Sequence, residues 1–340
     1  MQVFATMSER FGPIEAGEYA RRVEAMGYDG LLVPEAVHDG LLTSMAALTA
    51  TTRLRVLTSV LVVFPRSPMT TAQAAWDLQS LSGGRFELGL GTQVRGNIIR
   101  RFSTVWTSPV PRMREYIESL KAIFHAFQTG EDLDYQGEHY QFSRLQPFFN
   151  PGPLDVPAPK IHLGAVGPDM TRMAGGAADG LMSHPTHSAP RVLEEITLPL
   201  VEEGALRRGR SPEACPVLAA GFILTGRDEA ALARNREQIR EQFSFLYSTS
   251  AYWPALDLIG FGAVGRSLHE HAKHNRWSEM RALISDDLID AMVPCGGYAE
   301  IARLLSEGYG SIVHQMTFPV PEDPNDDEQV GQVIASLQSA

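Results

Sequence analysis

The sequence predicts a (β/α)8 barrel, in which eight parallel strands alternate with helices. A unit of amphipathic helix, glycine stop and short apolar strand recurs four times along the chain. The strands are apolar throughout, which is typical of a parallel sheet buried on both faces. A chain of 340 residues is long enough for such a barrel with insertions. An open, doubly wound sheet is the alternative that the same alternation allows.

The first copy of this unit shows how the elements are assigned. Tyr19, Val23 and Met26 fall on one helical face. Gly27 then provides the left-handed cap that ends a helix, and GLLV at 30–33 forms the strand. The other copies are AQAAWDLQSLSGGRFELGLG, DMTRMAGGAADGLMS and EIARLLSEGYGSIVHQMTF. The eight predicted strands are Gln2–Thr6, Gly30–Val33, Arg55–Val60, Phe86–Leu90, Lys160–Leu163, Gly180–Ser183, Val217–Ile223 and Ser311–Thr317.

Two segments interrupt the alternation, so we predict one domain over residues 1–340 with insertions at about 128–159 and 248–287. The first insertion holds YQGEHYQF, a hairpin pattern, and then NPGPLDVPAP, whose prolines exclude a helix. The second is aromatic and helical. Insertions that follow barrel strands usually form the rim of the active site.

Composition and charge exclude several functions. The net charge is −11 and no basic stripe is present, which argues against a nucleic-acid-binding protein. No apolar run approaches the roughly 18 residues of a membrane helix, and the N-terminus lacks the pattern of a signal peptide. We therefore expect a cytoplasmic protein that does not bind membranes. Cys215 and Cys295 fit no metal-binding spacing and are expected to be free thiols.

The loop after the fifth strand, in IHLGAVGPDMTRMAGG, has the composition of an anion-binding site. The small residues from Ala165 to Gly167 leave the backbone amides approachable, and Pro168 suits the first position of a helix. Free amides and the helix dipole at such a helix start favour a phosphate group. A plain tight turn has the same composition, so the residues alone leave both interpretations open.

His38, in PEAVHDG after the second strand, is the candidate catalytic residue. This position is at the carboxyl-end mouth of the barrel, where barrel enzymes carry out their chemistry. A histidine there can donate or accept a proton near neutral pH. Glu35 and Asp39 flank His38 and are candidates for tuning its pKa. A histidine that caps a helix on a rim loop is the structural alternative.

Two further strand ends supply candidate contacts for a flat redox ring. TSVLVVFPRSP offers an apolar platform with close backbone approach, and Arg66 at its end is expected to face solvent. GLGTQVRGN, after the fourth strand, exposes Thr92, Gln93 and Asn97, either as ligand contacts or as an ordinary polar loop.

Sequence patterns of other enzyme classes are missing. HEHAKH at 269–274 lacks the spacing of a zinc protease and is expected to be a solvated helix face. There is no GxGxxG, no GxSxG elbow and no P-loop, which disfavours a nicotinamide Rossmann enzyme and a barrel hydrolase.

Taken together, these segments resemble the luciferase-like superfamily, and within it the deazaflavin-dependent oxidoreductases that use coenzyme F420. The resemblance runs from Gln2 to about Phe318. It is strongest in TTRLRVLTSVLVVFPRSPMTTAQAAWDLQSLSGGRFELGLGTQ, in GEHYQF and in AVGPDMTRMAGGAADG. It implies a TIM barrel with insertions, a small-molecule substrate and a homodimer.

The resemblance also implies a site. The non-prolyl cis peptide of the family matches the Ser59–Val60 bond, and the phosphate-binding turn matches Ala165–Met170. His38 aligns with a histidine that lies beside the ring, although Val37 stands where the family often has Asp. The predicted cofactor-binding residues are Ser59, Val60, Val62, Thr92, Gln93, Asn97, Ala165, Val166, Gly167, Pro168, Asp169, Met170 and His184.

The implied reaction is hydride transfer between F420 and a small organic substrate. His38 would serve as proton donor or acceptor, and His184, Phe222 and Trp253 are candidates for the pocket floor. An FMN-dependent monooxygenase, which uses reduced flavin and oxygen, is the alternative within the same fold. A flavin-binding protein without turnover is a further one.

Overall fold

The computed structural model describes all 340 residues and contains a closed parallel barrel. The barrel strands are β1 (Gln2–Thr6), β2 (Gly30–Val33), β3 (Arg55–Thr58), β4 (Phe86–Gly91), β5 (Ile161–Ala165), β6 (Gly180–Ser183), β7 (Val217–Ala219) and β8 (Gln315–Thr317). Each strand pairs in parallel with the next one, and β8 pairs with β1 to close the ring. The (β/α)8 prediction is confirmed, and the open-sheet alternative is wrong because the sheet has no free edge.

Helices fill the connections and form the insertions. Their bounds are α1 (Pro13–Ala25), α2 (Gly40–Ala50), α3 (Pro68–Ser82), α4 (Arg95–Arg100), α5 (Pro109–Thr129), α6 (Pro168–Ala177), α7 (Pro190–Val192), α8 (Leu198–Arg207), α9 (Glu229–Leu246), α10 (Trp253–Leu258), α11 (Gly262–Lys273), α12 (Trp277–Met280), α13 (Asp286–Met292), α14 (Ile301–Tyr309) and α15 (Asp327–Ser339). A π-helical turn, Leu193–Thr197, joins α7 to α8. Single 3₁₀ turns are Pro147–Phe149, Pro185–His187, Pro212–Ala214, Ser250–Tyr252, Arg281–Leu283 and Pro324–Asp326. No helix combines the length and apolar character that crossing a membrane requires.

Local sequence explains where the early helices begin and end. Asp39 caps α2 by accepting hydrogen bonds from the amides of Leu41 and Leu42, at 2.9 and 3.1 Å. The predicted glycine stop is present after α3, where Gly83 has φ 64° in the left-handed region that favours glycine. Gly27 follows α1 with φ 90°.

Two of the predicted strands, the fourth and the fifth, differ from the structure by one or two residues at an end, and three others are predicted too long. The third ends at Thr58, and after the Ser59–Val60 bond a two-residue strand, Leu61–Val62, pairs with β4. The seventh ends at Ala219, and Leu224–Gly226 pairs with Cys295–Gly297 outside the barrel. The eighth begins only at Gln315. Apolar composition extended these predictions too far, because apolar residues such as Val60, Phe222 and Ile223 also occur, half-buried, in the loops next to the strands.

The core inside the barrel is separate from the core between strands and helices. The inward side chains that meet in the barrel are those of Phe4, Leu32, Leu57, Met182 and Leu218. A larger cluster lies between the strands and the surrounding helices. A third cluster, which includes Phe243, Tyr247 and Leu256, packs α9 against the helices of the second insertion.

The amino end of the barrel is closed by a buried charged cluster. Glu87 Oε2 lies 2.7 Å from Nε2 of His162, and Glu87 Oε1 lies 3.2 Å from Nη1 of Arg55. Burial opposes ionisation of Glu87, but the close contact with His162 and the neighbouring positive charges outweigh burial and lower its pKa. Position at this end of a barrel indicates a role in stability.

The first insertion contains the predicted hairpin, in which Tyr135–Gln136 pairs antiparallel with Gln141–Phe142. Glu115 on α5 fixes its turn, since Oε2 accepts hydrogen bonds from the amides of His139 and Tyr140 at 2.6 and 3.2 Å. The second insertion is helical, as predicted. Cys215 is buried, Cys295 is exposed, and both are free thiols.

Candidate active site

The carboxyl ends of the strands form a mouth lined by small side chains. Side chains alternate along a strand, so His184 and Ala220 continue the inward rows of Met182 and Leu218. A Cβ at Gly91 would lie 2.2 Å from Val60 Cγ2, and one at Gly164 would lie 2.8 Å from Val60 Cγ1. Val60 therefore covers both glycines. Because Gly91 and Gly164 carry no side chains, Val60 packs directly on their backbone and the three residues form an apolar platform at this part of the mouth.

The Ser59–Val60 peptide bond beside this platform is cis, as the family resemblance implied. The Ser59 amide donates to the Val33 carbonyl at 2.7 Å, which ties the end of β3 to β2. Ser59 and Val60 are both half-buried and border the mouth. Their contacts with a cofactor stay a prediction.

Val62 is buried, and its backbone polar groups are already bonded within the protein. Its amide donates to Glu35 Oε2 at 2.6 Å, and its carbonyl accepts from Arg66 at 2.7 Å. Val62 thus joins the end of β3 to the loop after β2. Its predicted cofactor contact remains untested.

Arg66 does not face solvent freely, which corrects the expectation from the sequence. Its guanidinium lies 2.5 Å from Glu35 Oε1 and 2.8 Å from Asp39 Oδ2. Burial lowers the pKa of Arg66, but the hydrogen bond and charge of Glu35, together with Asp39, raise it on balance. The two carboxylates that flank His38 in sequence are therefore turned toward Arg66, because a charged pair at a half-buried site satisfies both partners.

His38 is exposed at the mouth, and its ring donates and accepts no hydrogen bond within the chain. The ring lies against Gly12 in the loop after β1, since a Cβ there would be 3.3 Å from His38 Cε1. Asp39 caps α2, which excludes the interpretation of His38 as the helix cap. Both ring nitrogens are free to exchange a proton with a bound molecule.

The turn after β5 is open and lies at the same end of the barrel as His38. Gly167 is the N-cap of α6 and Pro168 its first residue, and a Cβ at Gly167 would meet no atom within 4 Å. The backbone amides of Asp169 and Met170 donate no hydrogen bond within the chain. The Asp169 carboxylate is 83% exposed and pairs with Arg172 at 3.2 Å. Free amides at a helix start can hold a phosphate.

The loop after β4 is ordered by its own polar residues. Gln93 has φ 58°, and its Oε1 accepts hydrogen bonds from the Val94 amide at 2.8 Å and from Asn97 at 3.2 Å. Thr92, Gln93 and Asn97 are half-buried at the mouth. Their predicted contact with a cofactor is untested.

His184 belongs to a polar cluster that sequence reasoning did not find. Its ring stacks on Tyr252 at 4.6 Å with an interplanar angle of 10°, and Nδ1 lies 2.8 Å from Thr186 Oγ1. Nδ1 of the buried His187 lies 3.0 Å from the same oxygen. Burial lowers the pKa of His184 and of His187 to about 4, so both are neutral at pH 7. The two histidines of HPTH were the available sequence signal for this cluster. The stacking of Tyr252 on His184 had no such signal, because Tyr252 is far away in the sequence.

Two residue groups lie away from the mouth. Trp253 donates its indole N–H to the Tyr247 carbonyl at 3.0 Å, contacts His269 edge-on and does not line the cavity described below, so its place in the pocket floor stays a prediction. His269 and His271 are half-buried and their rings bond the carbonyls of Ser248 and Ser267. The solvated-face prediction for HEHAKH is wrong for these two, because the neighbouring helices cover them.

A cavity of about 610 Å³ adjoins the mouth on the side of β1, β7 and β8. Thr6 and Thr317, which end β1 and β8, and Ala220, which follows β7, border it. Phe222 lines this cavity, and its predicted place in the pocket floor stays a prediction.

Comparison with known proteins adds three findings. The model of the luciferase-like monooxygenase family matches residues 3–315. An uncharacterized protein of Mycobacterium tuberculosis is 38% identical over 301 residues, which cover 88% of each chain. The F420-dependent glucose-6-phosphate dehydrogenase of Nakamurella multipartita is 32% identical over 218 residues, which are 61% of this chain and 62% of that protein.

Among solved structures, the coenzyme F420-dependent tetrahydromethanopterin reductase from Methanopyrus kandleri is similar. Its TM-score is 0.77 at 19% identity, and the alignment covers 98% of each chain. An identity this low shows a shared fold alone.

Proposed function

Because the chain belongs to the luciferase-like monooxygenase family, we propose that it is an oxidoreductase that uses coenzyme F420 and a small organic substrate. The observation that carries this proposal is the open start of α6, whose unbonded Asp169 and Met170 amides lie at the same end of the barrel as the free ring of His38. Relatives named for F420 support the choice of cofactor.

The residues at the mouth fit a flat ring with a phosphate-bearing tail. Gly91 and Gly164 leave no side chain beside Val60, so a planar group can lie against this apolar platform. The turn from Ala165 to Met170 would hold the phosphate through its amides. When bound, the deazaflavin supplies a hydride donor or acceptor at ring position C5.

His38 would donate a proton to the substrate atom next to the centre of hydride transfer, or accept a proton from that atom. Such general acid–base catalysis is worth about 10²–10⁴-fold in rate. The pair of Glu35 and Arg66 would hold the loop of His38 against β3, since it connects Val62 with the residues after β2. In this arrangement Arg66 is a positioning residue.

An FMN-dependent monooxygenase is the second candidate, because the matching family is named for that activity. A deazaflavin lacks the ring nitrogen through which reduced flavin reacts with oxygen, so the identity of the cofactor decides between the two reactions. A flavin-binding protein without turnover is disfavoured by the free imidazole of His38 at the mouth.

A spectral titration of the purified protein with F420 and with FMN tests the proposal. We expect F420 to bind at least tenfold more tightly than FMN. Tight FMN binding with weak F420 binding would assign the protein to the monooxygenases instead.

We also propose that the protein forms a homodimer. Helix α2 exposes Leu42 and Met45, which are 57% and 45% accessible, and Val37 before it is 64% accessible. Exposed apolar side chains close in sequence are common at subunit interfaces. Sedimentation velocity should give the mass of two chains, and replacement of Leu42 and Met45 by Glu should give the mass of one. The cytoplasmic location stays a prediction.

A further inference from the structure

Two histidines share one hydroxyl group in the turn after β6. Nδ1 of His184 lies 2.8 Å from Oγ1 of Thr186, and Nδ1 of His187 lies 3.0 Å from the same oxygen. Thr186 is fully buried and His187 is 4% exposed, so water does not replace these bonds. A hydroxyl carries a single hydrogen, so it donates to one of the two histidines and accepts from the other.

The backbone decides which histidine accepts. The Thr186 amide donates to Nδ1 of His184 at 3.3 Å, and an amide nitrogen can only donate. Nδ1 of His184 therefore carries no hydrogen. The Thr186 hydroxyl then donates to the same nitrogen, and Nδ1–H of His187 donates to that hydroxyl. Because a neutral imidazole carries its hydrogen on one of two nitrogens, His184 carries it on Nε2.

Both rings are neutral at pH 7. Burial lowers the pKa of His184 to about 4, with a smaller contribution from the charge of His187, and burial alone lowers the pKa of His187 to about 4. No carboxylate contributes to either shift, so no negative charge favours an imidazolium here. His184 is therefore a neutral donor with a fixed tautomer.

The Nε2–H group of His184 is left for a bound molecule. The two nitrogens of an imidazole point to opposite sides of the ring, so Nε2 faces away from Thr186. The Tyr252 hydroxyl lies 3.4 Å from Nε2, but the two rings are stacked with an interplanar angle of 10°. Stacked rings lie about 3.5 Å apart, so this contact runs across the ring planes. The N–H bond lies within the imidazole plane, and Tyr252 therefore covers the ring without accepting its hydrogen.

His184 follows β6 beside the apolar platform of the mouth. Met182 of β6 pairs with Gly164 of β5, and His184 is the next inward residue after Met182. A Cβ at Gly164 would lie 2.8 Å from Val60 Cγ1, so Gly164 is part of the platform. A flat ring that lies on this platform has its β6-side edge next to His184.

A ring of the flavin or deazaflavin kind has two carbonyl oxygens on its pyrimidine edge. A hydride taken from the substrate brings two electrons and one negative charge into such a ring, and these oxygens share the charge. We propose that His184 donates a hydrogen bond from Nε2 to one of them, and that Thr186 and His187 are positioning residues that fix its tautomer. A preorganised donor stabilises charge at the place where it develops. This inference rests on the proposed function and adds to it the residue that favours the reduced cofactor.

The tautomer is measured in the protein without cofactor. NMR of the protein with isotopically labelled histidine should show His184 with its hydrogen on Nε2 at pH 7, and His184→Gln identifies the signals by their loss. Thr186→Val removes the hydroxyl and should raise the share of the Nδ1–H tautomer, whereas Thr186→Ser should restore the native ratio. A hydrogen on Nδ1 in the unmodified protein, or a ratio that Thr186→Val leaves unchanged, would contradict the assignment.

Two replacements of His184 distinguish the loss of the donor from the loss of the ring. The side-chain amide of Gln can place an N–H near the position of Nε2–H, whereas Leu has no donor. Spectral titration measures the affinity for oxidised and for reduced F420. We expect His184→Leu to lower the affinity for reduced F420 about tenfold relative to oxidised F420, because a hydrogen bond to a charged group is lost, and His184→Gln to lower this ratio less than about threefold. Equal losses for the two cofactor forms, or equal effects of the two variants, would overturn the inference.

The control makes the same exchange at a histidine far from the mouth. His125 on α5 is 61% exposed, and His125→Leu should leave the ratio of the two affinities unchanged. Thermal unfolding verifies that each variant is folded. If Thr186→Val does not fold, the comparison of His184→Leu with His184→Gln decides.

The inference and the proposed function fail in different ways. FMN has the same pyrimidine edge, so the titrations are repeated with oxidised and reduced FMN. If F420 does not bind while FMN binds and the two His184 variants respond as expected, the choice of cofactor is wrong and the role of His184 stands. If F420 binds and the two variants behave alike, only the role of His184 is wrong. If neither cofactor binds, both proposals are wrong.

Discussion

The two ends of the barrel differ in whether their polar groups have partners within the chain. At the amino end, Arg55, Glu87 and His162 are packed against each other, with Glu87 and His162 7% and 2% exposed. At the carboxyl end, the His38 ring and the first amides of α6 have no partner within the chain. Paired polar groups contribute to a unique fold, whereas unpaired ones at a surface opening are available to a ligand. The same strands thus serve stability at one end and binding at the other.

The largest expected effect is on the turnover number, through a residue at the carboxyl end of the barrel. We expect His38→Ala to lower kcat by about 10²–10⁴-fold, since a proton donor or acceptor is lost, and to change F420 affinity by no more than a few-fold. Steady-state kinetics and the spectral titration measure the two quantities. His125→Ala, a surface histidine on α5 that is 61% exposed, is the control and should leave both unchanged. An unchanged kcat would remove His38 from the mechanism.

The second largest expected effect is on the free energy of unfolding, through the charged cluster at the amino end of the barrel. Glu87→Gln should lower the free energy of unfolding by about 3–5 kcal/mol, because it removes the buried carboxylate that compensates the charge of the Arg55 guanidinium. Urea unfolding measures this change. Glu131→Gln, whose carboxylate pairs with His125 and is 70% exposed, should change it by less than about 1 kcal/mol. Equal effects of the two variants would contradict the contrast between buried and exposed pairs.

Acid should destabilise the protein through the histidines at the mouth. The pKa of His187 is lowered to about 4, so the unfolded chain binds more protons than the folded one between pH 6.5 and 4. Stability therefore falls as the pH is lowered through this window, by an amount on the order of 3 kcal/mol for His187. Urea unfolding at pH 7 and pH 5 measures the loss. His187→Asn should show a smaller loss than the unmodified protein, and an identical loss would assign the acid sensitivity to other groups.

The smallest expected effect is on F420 binding at the start of α6, where two substitutions of Gly167 distinguish the effect of charge from that of shape. Gly167→Asp places a carboxylate at the N-cap, where it can accept hydrogen bonds from the free amides and stabilise the helix by roughly a few tenths of a kcal/mol, since glycine is itself a fair N-cap residue. The same carboxylate should weaken F420 binding about tenfold, since it occupies the amides and repels a phosphate. Gly167→Asn has nearly the same shape without the charge, so it should weaken binding less. Tighter F420 binding by Gly167→Asp would place the phosphate elsewhere.

Local patterns predicted the elements better than the contacts between them. The bounds of β1, β2 and β6 agree with the prediction, because a short apolar run defines each of them locally. The end of β7 does not, since Phe222 and Ile223 are apolar in a loop that borders the cavity. The pairing of Arg66 with Glu35, 31 residues away, also had no sequence signal.

The sequence by itself determined the barrel, the hairpin of YQGEHYQF and the presence of a small-residue turn before α6, because periodicity, glycine stops and proline positions act over a few residues. Only the tertiary structure decided that Val60 covers Gly91 and Gly164, that His184 stacks on Tyr252, and that α9 faces β7 and β8 across a cavity. These contacts join residues that are distant in the chain. Their geometry depends on how the strands close into a ring, and no local pattern carries that information.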